Sequence, residues 1–203
     1  MAESLSFDPL APVHSGCDGG GVYVRSPQAL HARGQERERG HSPHQGRWCP
    51  HRQAIPGFVA YGILDAGHGH IVTYSAYDGQ AGTQESTKKA AAWVKENIAS
   101  LLPTPPHVVE GAIKLREIKE AAKYGVVRRY QVDPKNIDKI VANVKSGFLP
   151  IVTRLPGYAS YAMLDAGKGT LVTISGFSSS SGAAESTKAA ATYIKEHLAP
   201  LVP

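Results

Sequence analysis

The chain contains one segment twice. IPGFVAYGILDAGHGHIVTYSAYDGQAGTQESTKKAAAWVKENIASLLP, from Ile55, aligns without a gap with LPGYASYAMLDAGKGTLVTISGFSSSSGAAESTKAAATYIKEHLAPLVP, from Leu155, at a constant offset of 100 residues. Close to half of the positions are identical and most others are conservative. A fold assigned to one copy must therefore serve the other.

The second copy reads most clearly. GVVRRYQV, from Gly125, has the β-branched and aromatic content of a strand. Asp133 is placed to cap a helix with Pro134 at its first position. Ile137, Ile140, Val141, Val144 and Phe148 follow at helical spacing. YASYAMLD and GTLVTISGF are two strands joined across Asp165–Gly169, whose glycines permit positive φ. A second helix, AAESTKAAATYIKEHLAPLV, is expected to bury Thr187, Ala191, Ile194 and Leu198. In the first copy a further strand, HVVEGAIKL, follows the Pro-rich break PTPP. The expected class is α+β, built from two tandem ferredoxin-like β-α-β-β-α-β modules with antiparallel sheets, the first incomplete. The expected boundaries are 1–54, 55–118 and 119–203.

Residues 1–54 are drawn from another composition. Every base there is arginine or histidine, both cysteines lie there, and SPQALHARGQERERGHSPHQGRWCPHRQ has no apolar rhythm. The first module's opening strand and helix belong at about 25–54, so the segment as written should lack them. A reading-frame change in the gene accounts for this. QERERGHSP can be encoded so that the next frame reads KNVNEVIRR, beside KNIDKIVAN at Lys135, and PHRQ can yield PIVR, beside PIVT at Pro150. The alternative is an irregular tail fused to one and a half modules.

Composition removes several classes of function. The 203 residues are 42% hydrophobic and 19% charged, which excludes wholesale disorder. No apolar run reaches the ~20 residues a spanning helix needs, and MAESLSFDPLAPV lacks the basic flank of a secretory signal. A cytoplasmic protein is expected. The net charge of +5 is spread along the chain, and Glu36 and Glu38 interrupt the arginines, so no nucleic-acid partner is expected. Cys17, His41, His44, Cys49 and His51 match no standard zinc spacing. His68 and His70 align with Lys168 and Thr170, which makes them turn residues. No metal is assigned, and Gly19-Gly20-Gly21 lacks the Lys-Ser/Thr ending of a phosphate loop.

Two motifs recur in both copies. Glu85-Ser86-Thr87-Lys88 and Glu185-Ser186-Thr187-Lys188 are expected in the first turn of a helix, with hydroxyls serving free N–H groups. Asp65 and Asp165 are expected to cap the hairpin turns. The aromatics carry the site expectation. Tyr61 and Tyr161 are identical, Trp93 aligns with Tyr193, Phe58 with Tyr158, and Tyr77 with Phe177. Interchanged aromatics read as packing. The retained hydroxyl of Tyr61 and Tyr161 suits a hydrogen bond to a phenolic ligand in an apolar pocket. Tyr61, Tyr161, Trp93 and Tyr193 are the candidate ligand-binding residues, and no catalytic residue is assigned.

Residues 55–203 resemble the antibiotic-biosynthesis-monooxygenase-like family of dimeric α+β barrels. The resemblance is carried by the YxVDPxNxDxIVxxVxxGFxPIV block from Tyr130, the PG(F/Y)xxYxxLDAGxGxxV hairpin and the ESTxAAAxxxKExLAxL helix. It implies modules paired sheet to sheet, here as a pseudo-dimer within one chain or as a homodimer. It implies a cofactor-independent monooxygenase acting on an aromatic or quinol-type small molecule. The rival expectation is a non-catalytic module that binds a ligand or associates through its sheet.

Overall fold

The computed structural model describes residues 54–102 and 104–202, together with two strands at Val13–Gly19 and Val22–Val24. It is a mixed α+β structure that divides into two compact units. One spans His14–Val109. The other comprises Glu110–Pro203.

In the Glu110–Pro203 unit, the strands are β6 (Ala112–Ile118), β7 (Tyr124–Gln131), β8 (Tyr158–Asp165) and β9 (Thr170–Phe177). They form an antiparallel sheet in the order β6-β8-β9-β7. The Asp133 side chain accepts from the Lys135 N–H at 3.1 Å, with Pro134 next in the chain, and a short 3₁₀ turn leads into α2 (Ile137–Asn143). A π-helical turn, Val144–Phe148, joins α2 to α3 (Leu149–Val152). Pro150 has no N–H to return to the Ser146 carbonyl, which explains a loosened ladder just ahead of it. Helix α4 (Ser180–Tyr193) ends in a second π-helical turn, Ile194–Leu198. Ile137, Ile140, Val144 and Phe148 are buried as their spacing requires, and they share one core with Tyr161, Met163, Leu171, Ala190, Tyr193 and Leu198.

The His14–Val109 unit has β1 (Val13–Gly19), β2 (Val22–Val24), β3 (Phe58–Asp65), β4 (Ile71–Tyr77) and β5 (His107–Val109), in the order β1-β3-β4-β2-β5. Helix α1 spans Gln80–Asn97. The two hairpins share a register. Phe58 pairs with Tyr77, Tyr61 with Ser75 and Asp65 with Ile71. Tyr158 pairs with Phe177, Tyr161 with Ser175 and Asp165 with Leu171, and both hairpins carry a bulge one residue after the first pair. Asp65 and Asp165 each accept from the glycine N–H two residues on, at 2.9 Å. His68 and Lys168 both take φ of 50° between positive-φ glycines, so the His68-Gly69-His70 segment is turn geometry.

Four expectations are corrected. HVVEGAIKL is not one strand: His107–Val109 pairs with β2, whereas Ala112–Ile118 pairs with β8. The polar Glu110-Gly111 step, where a strand gains least from side-chain packing, divides them. Residues 1–54 do not wholly lack a first strand. Val22–Val24 pairs with β4 as β7 pairs with β9, a β-branched and aromatic triplet hidden beside a glycine run. The rest of that segment, including His41, His44, Cys49, His51 and the frame comparison, lies outside the described residues. The other two corrections concern α4. Its buried face is Ala183, Ser186, Ala190, Tyr193 and Leu198, while Thr187 and Ala191 are exposed. Small residues all round leave little amphipathic contrast, so the large ring of Tyr193 sets the face. Helices α1 and α4 also begin earlier than expected, at Gln80 and Ser180. The Glu-Ser-Thr-Lys motifs therefore lie inside the helices and not in their first turns.

Candidate functional site

A small half-open cavity of about 30 Å³ lies within the Glu110–Pro203 unit, between its sheet and its helices. Arg128, Tyr130, Tyr161 and Thr173 form the polar part of its sheet side; Phe148 and Tyr193 close the helix side. Strand alternation supplies the first group. Arg128 and Tyr130 are two apart on β7, and Arg128 stands opposite Thr173 on β9. Both π-helical turns contribute to the helix side, through Val144 and Phe148 from one and Ile194 and Leu198 from the other.

Arg128 is the centre of the polar part. Its Nη1 donates to Ser175 Oγ at 3.3 Å, and its Nη2 donates to Ser186 Oγ at 2.9 Å and Thr187 Oγ1 at 3.1 Å. Ser186 Oγ in turn donates a hydrogen bond to the Ala183 carbonyl at 2.8 Å. Arg128 is half-buried, and a cation withdrawn from water usually recruits a carboxylate. Here, among the described residues, the ion pairs all lie elsewhere, and Arg128 is met by neutral hydroxyls. Burial lowers its pKa, while the nearby phenols of Tyr130 and Tyr161 act in the opposite sense. A guanidinium keeps its charge at neutral pH regardless.

The phenols are pushed the other way. Burial raises the pKa of Tyr130, against the Arg128 charge and the Thr173 hydroxyl. Burial raises Tyr161 further, and Tyr130 adds to it. Both remain O–H donors throughout the neutral range and neither is a base. Tyr193 also has its pKa raised by burial. Its hydroxyl donates towards Asn143, whose side-chain oxygen is at 2.5 Å and carbonyl at 3.1 Å, so it ties α4 to α2. The Phe148 ring packs against both neighbours, 5.9 Å from Tyr161 and 5.4 Å from Tyr193.

Of the four candidate residues, the fold brings two to this cavity: Tyr161, 2% exposed, and Tyr193, 7% exposed. Tyr61 and Trp93 belong to the His14–Val109 unit and are half-buried there. The interchanged aromatics are packing pairs. Phe58 meets Tyr77 edge-on at 5.9 Å, and Tyr158 meets Phe177 at 6.2 Å. The Tyr77 and Tyr158 hydroxyls are buried without a hydrogen-bond partner, and burial raises the Tyr158 pKa to about 12, with the Glu117 charge adding to it.

Sequence reasoning missed Arg128, Tyr130, Thr173 and the Ser175–Ser186–Thr187 hydroxyls. Two signals were present. Alternation along GVVRRYQV puts Arg128 on the same face as Val126 and Tyr130. Thr73, Ser75, Ser86 and Thr87 recur unchanged as Thr173, Ser175, Ser186 and Thr187.

The fold has a solved counterpart. A crystal structure from Fusobacterium nucleatum subsp. nucleatum, of a protein provisionally named a monooxygenase, superposes with a TM-score of 0.64. The match covers 94% of this chain and 90% of that one, at 12% identity, so the likeness is one of fold. No family model matches the sequence, and comparison with curated proteins returns no match. Among the described residues no helix is long and apolar enough to cross a membrane, and no group of three or more His, Cys, Asp or Glu is placed to hold a metal ion.

Proposed function

We propose that the protein binds a small aromatic or quinol-type molecule in the cavity of its Glu110–Pro203 unit and oxygenates it without a bound cofactor. The two units are read as copies of one ferredoxin-like module, a reading supported by the shared hairpin register. The reading of the site rests on one observation: Tyr161 and Tyr193 meet at a mostly apolar cavity whose polar residues are a guanidinium, three phenols and a threonine. In such chemistry an electron-rich, ionised substrate reacts with dioxygen directly. One oxygen atom is inserted into a ring C–H bond to make a hydroxyl, and the other leaves as water with the two hydrogens the quinol gives up on becoming a quinone, so that quinol and dioxygen yield hydroxyquinone and water. The protein supplies orientation and a place for negative charge.

The fold likeness to the Fusobacterium protein favours the same reading. The alternative is non-catalytic: the module binds a ligand, or associates through its sheet, without turnover. About 30 Å³ holds a water molecule or two and not a ring. A ligand must therefore spread α2 from α4, and the π-helical turns are where their ladders yield most readily. The test is oxygen uptake by the full-length protein with a dihydroxynaphthalene, alongside binding of that quinol followed by tyrosine and tryptophan fluorescence. The expected result is saturable binding with uptake above the buffer rate, reduced by Tyr161→Phe. Binding without uptake selects the non-catalytic reading, and absence of both overturns the pocket.

A further inference from the structure

We propose that the cavity takes its ligand as an anion, an aromatic ring bearing an ionised oxygen, and that Arg128 receives that oxygen. The proposal rests on the pocket reading above and specifies the class of molecule it admits. Arg128 lies in a cleft between sheet and helix, on the cavity wall, with no carboxylate partner among the described residues. Holding a cation there costs desolvation, and three neutral hydroxyls repay less of that than one carboxylate would. A site arranged in this way is completed by an anion from outside.

Geometry carries the argument further. The three hydroxyls take three of the five guanidinium donors and fix its plane from the β9 and α4 sides. Tyr130 and Tyr161, both neutral O–H groups at neutral pH, stand on the sheet beside it. Thr173 is its cross-strand neighbour. Every titratable group acting on Arg128 is thus a phenol. β9 and α4 face it with hydroxyls, and α2 and the π-helical turn after it line the cavity with the apolar Ile140 and Val144. The apolar remainder accepts a ring, and the guanidinium, which can only donate and carries a full positive charge, favours an oxyanion over a neutral hydroxyl. Because no phenol here is a base, ionisation of the ligand must come from its own acidity, assisted by the Arg128 charge.

The repeat adds a stoichiometry. The His14–Val109 unit retains Ser75, Ser86 and Thr87, but the residue paired with Thr73 is Tyr23, where the other unit pairs Arg128 with Thr173. Among the described residues the arginine-centred arrangement occurs once.

The test uses the full-length protein and three probes: para-nitrophenol, whose ionised form is coloured, naphthoate, and its neutral isostere naphthamide. Bound para-nitrophenol should ionise at a pH roughly one unit below the free dye, about a tenfold shift towards phenolate. Naphthoate should bind about tenfold more tightly than naphthamide, at one site per chain, and Arg128→Met should erase that preference while naphthamide binding persists. If the dye binds but ionises at an unchanged or higher pH, and naphthoate shows no advantage, the anion proposal is overturned and the pocket reading stands. If no probe binds, both fall. Should Arg128→Met fail to fold by circular dichroism, the dye titration on the unaltered protein decides alone.

Discussion

At the scale of single residues, the second unit depends on a contact between helices that only glycine allows. Gly147 lies in the π-helical turn, and a Cβ built there would collide with the Tyr193 hydroxyl. That hydroxyl cannot swing away freely, because it bonds Asn143 on α2. Gly147→Ala should therefore destabilise the unit by about 1–3 kcal/mol, the usual cost of overpacking a filled core. Gly147→Ala with Tyr193→Phe should recover part of the loss. The colliding oxygen goes, at the cost of a hydrogen bond that contributes on the order of 1 kcal/mol. Chemical denaturation of the two single variants and the double variant measures this coupling directly. Simple additivity would show that the clash is relieved elsewhere.

At the scale of elements, the repeat is an internal experiment in capping. Ser179 caps α4 with its side chain, accepting from Gly182 N–H at 3.2 Å. The matching position before α1 is Gly79, in the same extended conformation, with no side-chain bond and open space where a Cβ would sit. Gly79→Ser should add the missing bond and remove glycine's chain entropy, stabilising the first unit by ~0.3–1 kcal/mol in urea unfolding. An unchanged midpoint would mean that α1 does not limit that unit's stability.

The same two helices mark the limits of legibility. Asp133 and Pro134, the Ile137–Phe148 spacing and the Asp165 turn each have one strong local cause, and each was readable. The face of α4 was not, because serine, threonine and alanine carry almost no hydropathic contrast. The split of HVVEGAIKL was not, because strand propensity does not say which sheet a strand joins. Tyr161 and Tyr193 could be singled out because the repeat filters aromatics. Arg128 escaped that filter, since its counterpart in the other copy is not an arginine.

At the scale of the whole molecule, the two units have unequal cores among the described residues. Among the described residues, the apolar side chains buried in the His14–Val109 unit are Ile55, Leu64, Ala66, Val72 and Tyr77, and α1 buries only Ser86. The Glu110–Pro203 unit buries Phe148, Tyr158, Tyr161, Met163, Leu171, Phe177 and Tyr193 along with most of its helical stripe. Each fully buried large side chain contributes about 1.5–3 kcal/mol relative to exposure, so the imbalance is worth many kcal/mol before chain entropy is subtracted. Helix α1 fully buries only Ser86 and leaves Trp93 and Val94 half-buried, so among the described residues it gains less from packing than α4 does. Hydrogen exchange should accordingly find α1 amides opening at low free energy while α2 and α4 exchange only with unfolding of their unit. Denaturation followed at Trp93, on α1, should precede loss of the tyrosine signal from the second unit, giving two transitions in place of one. Equal protection of Gln80–Asn97 and Ser180–Tyr193, with coincident transitions, would mean that α1 draws its stability from contacts beyond those it makes among the described residues.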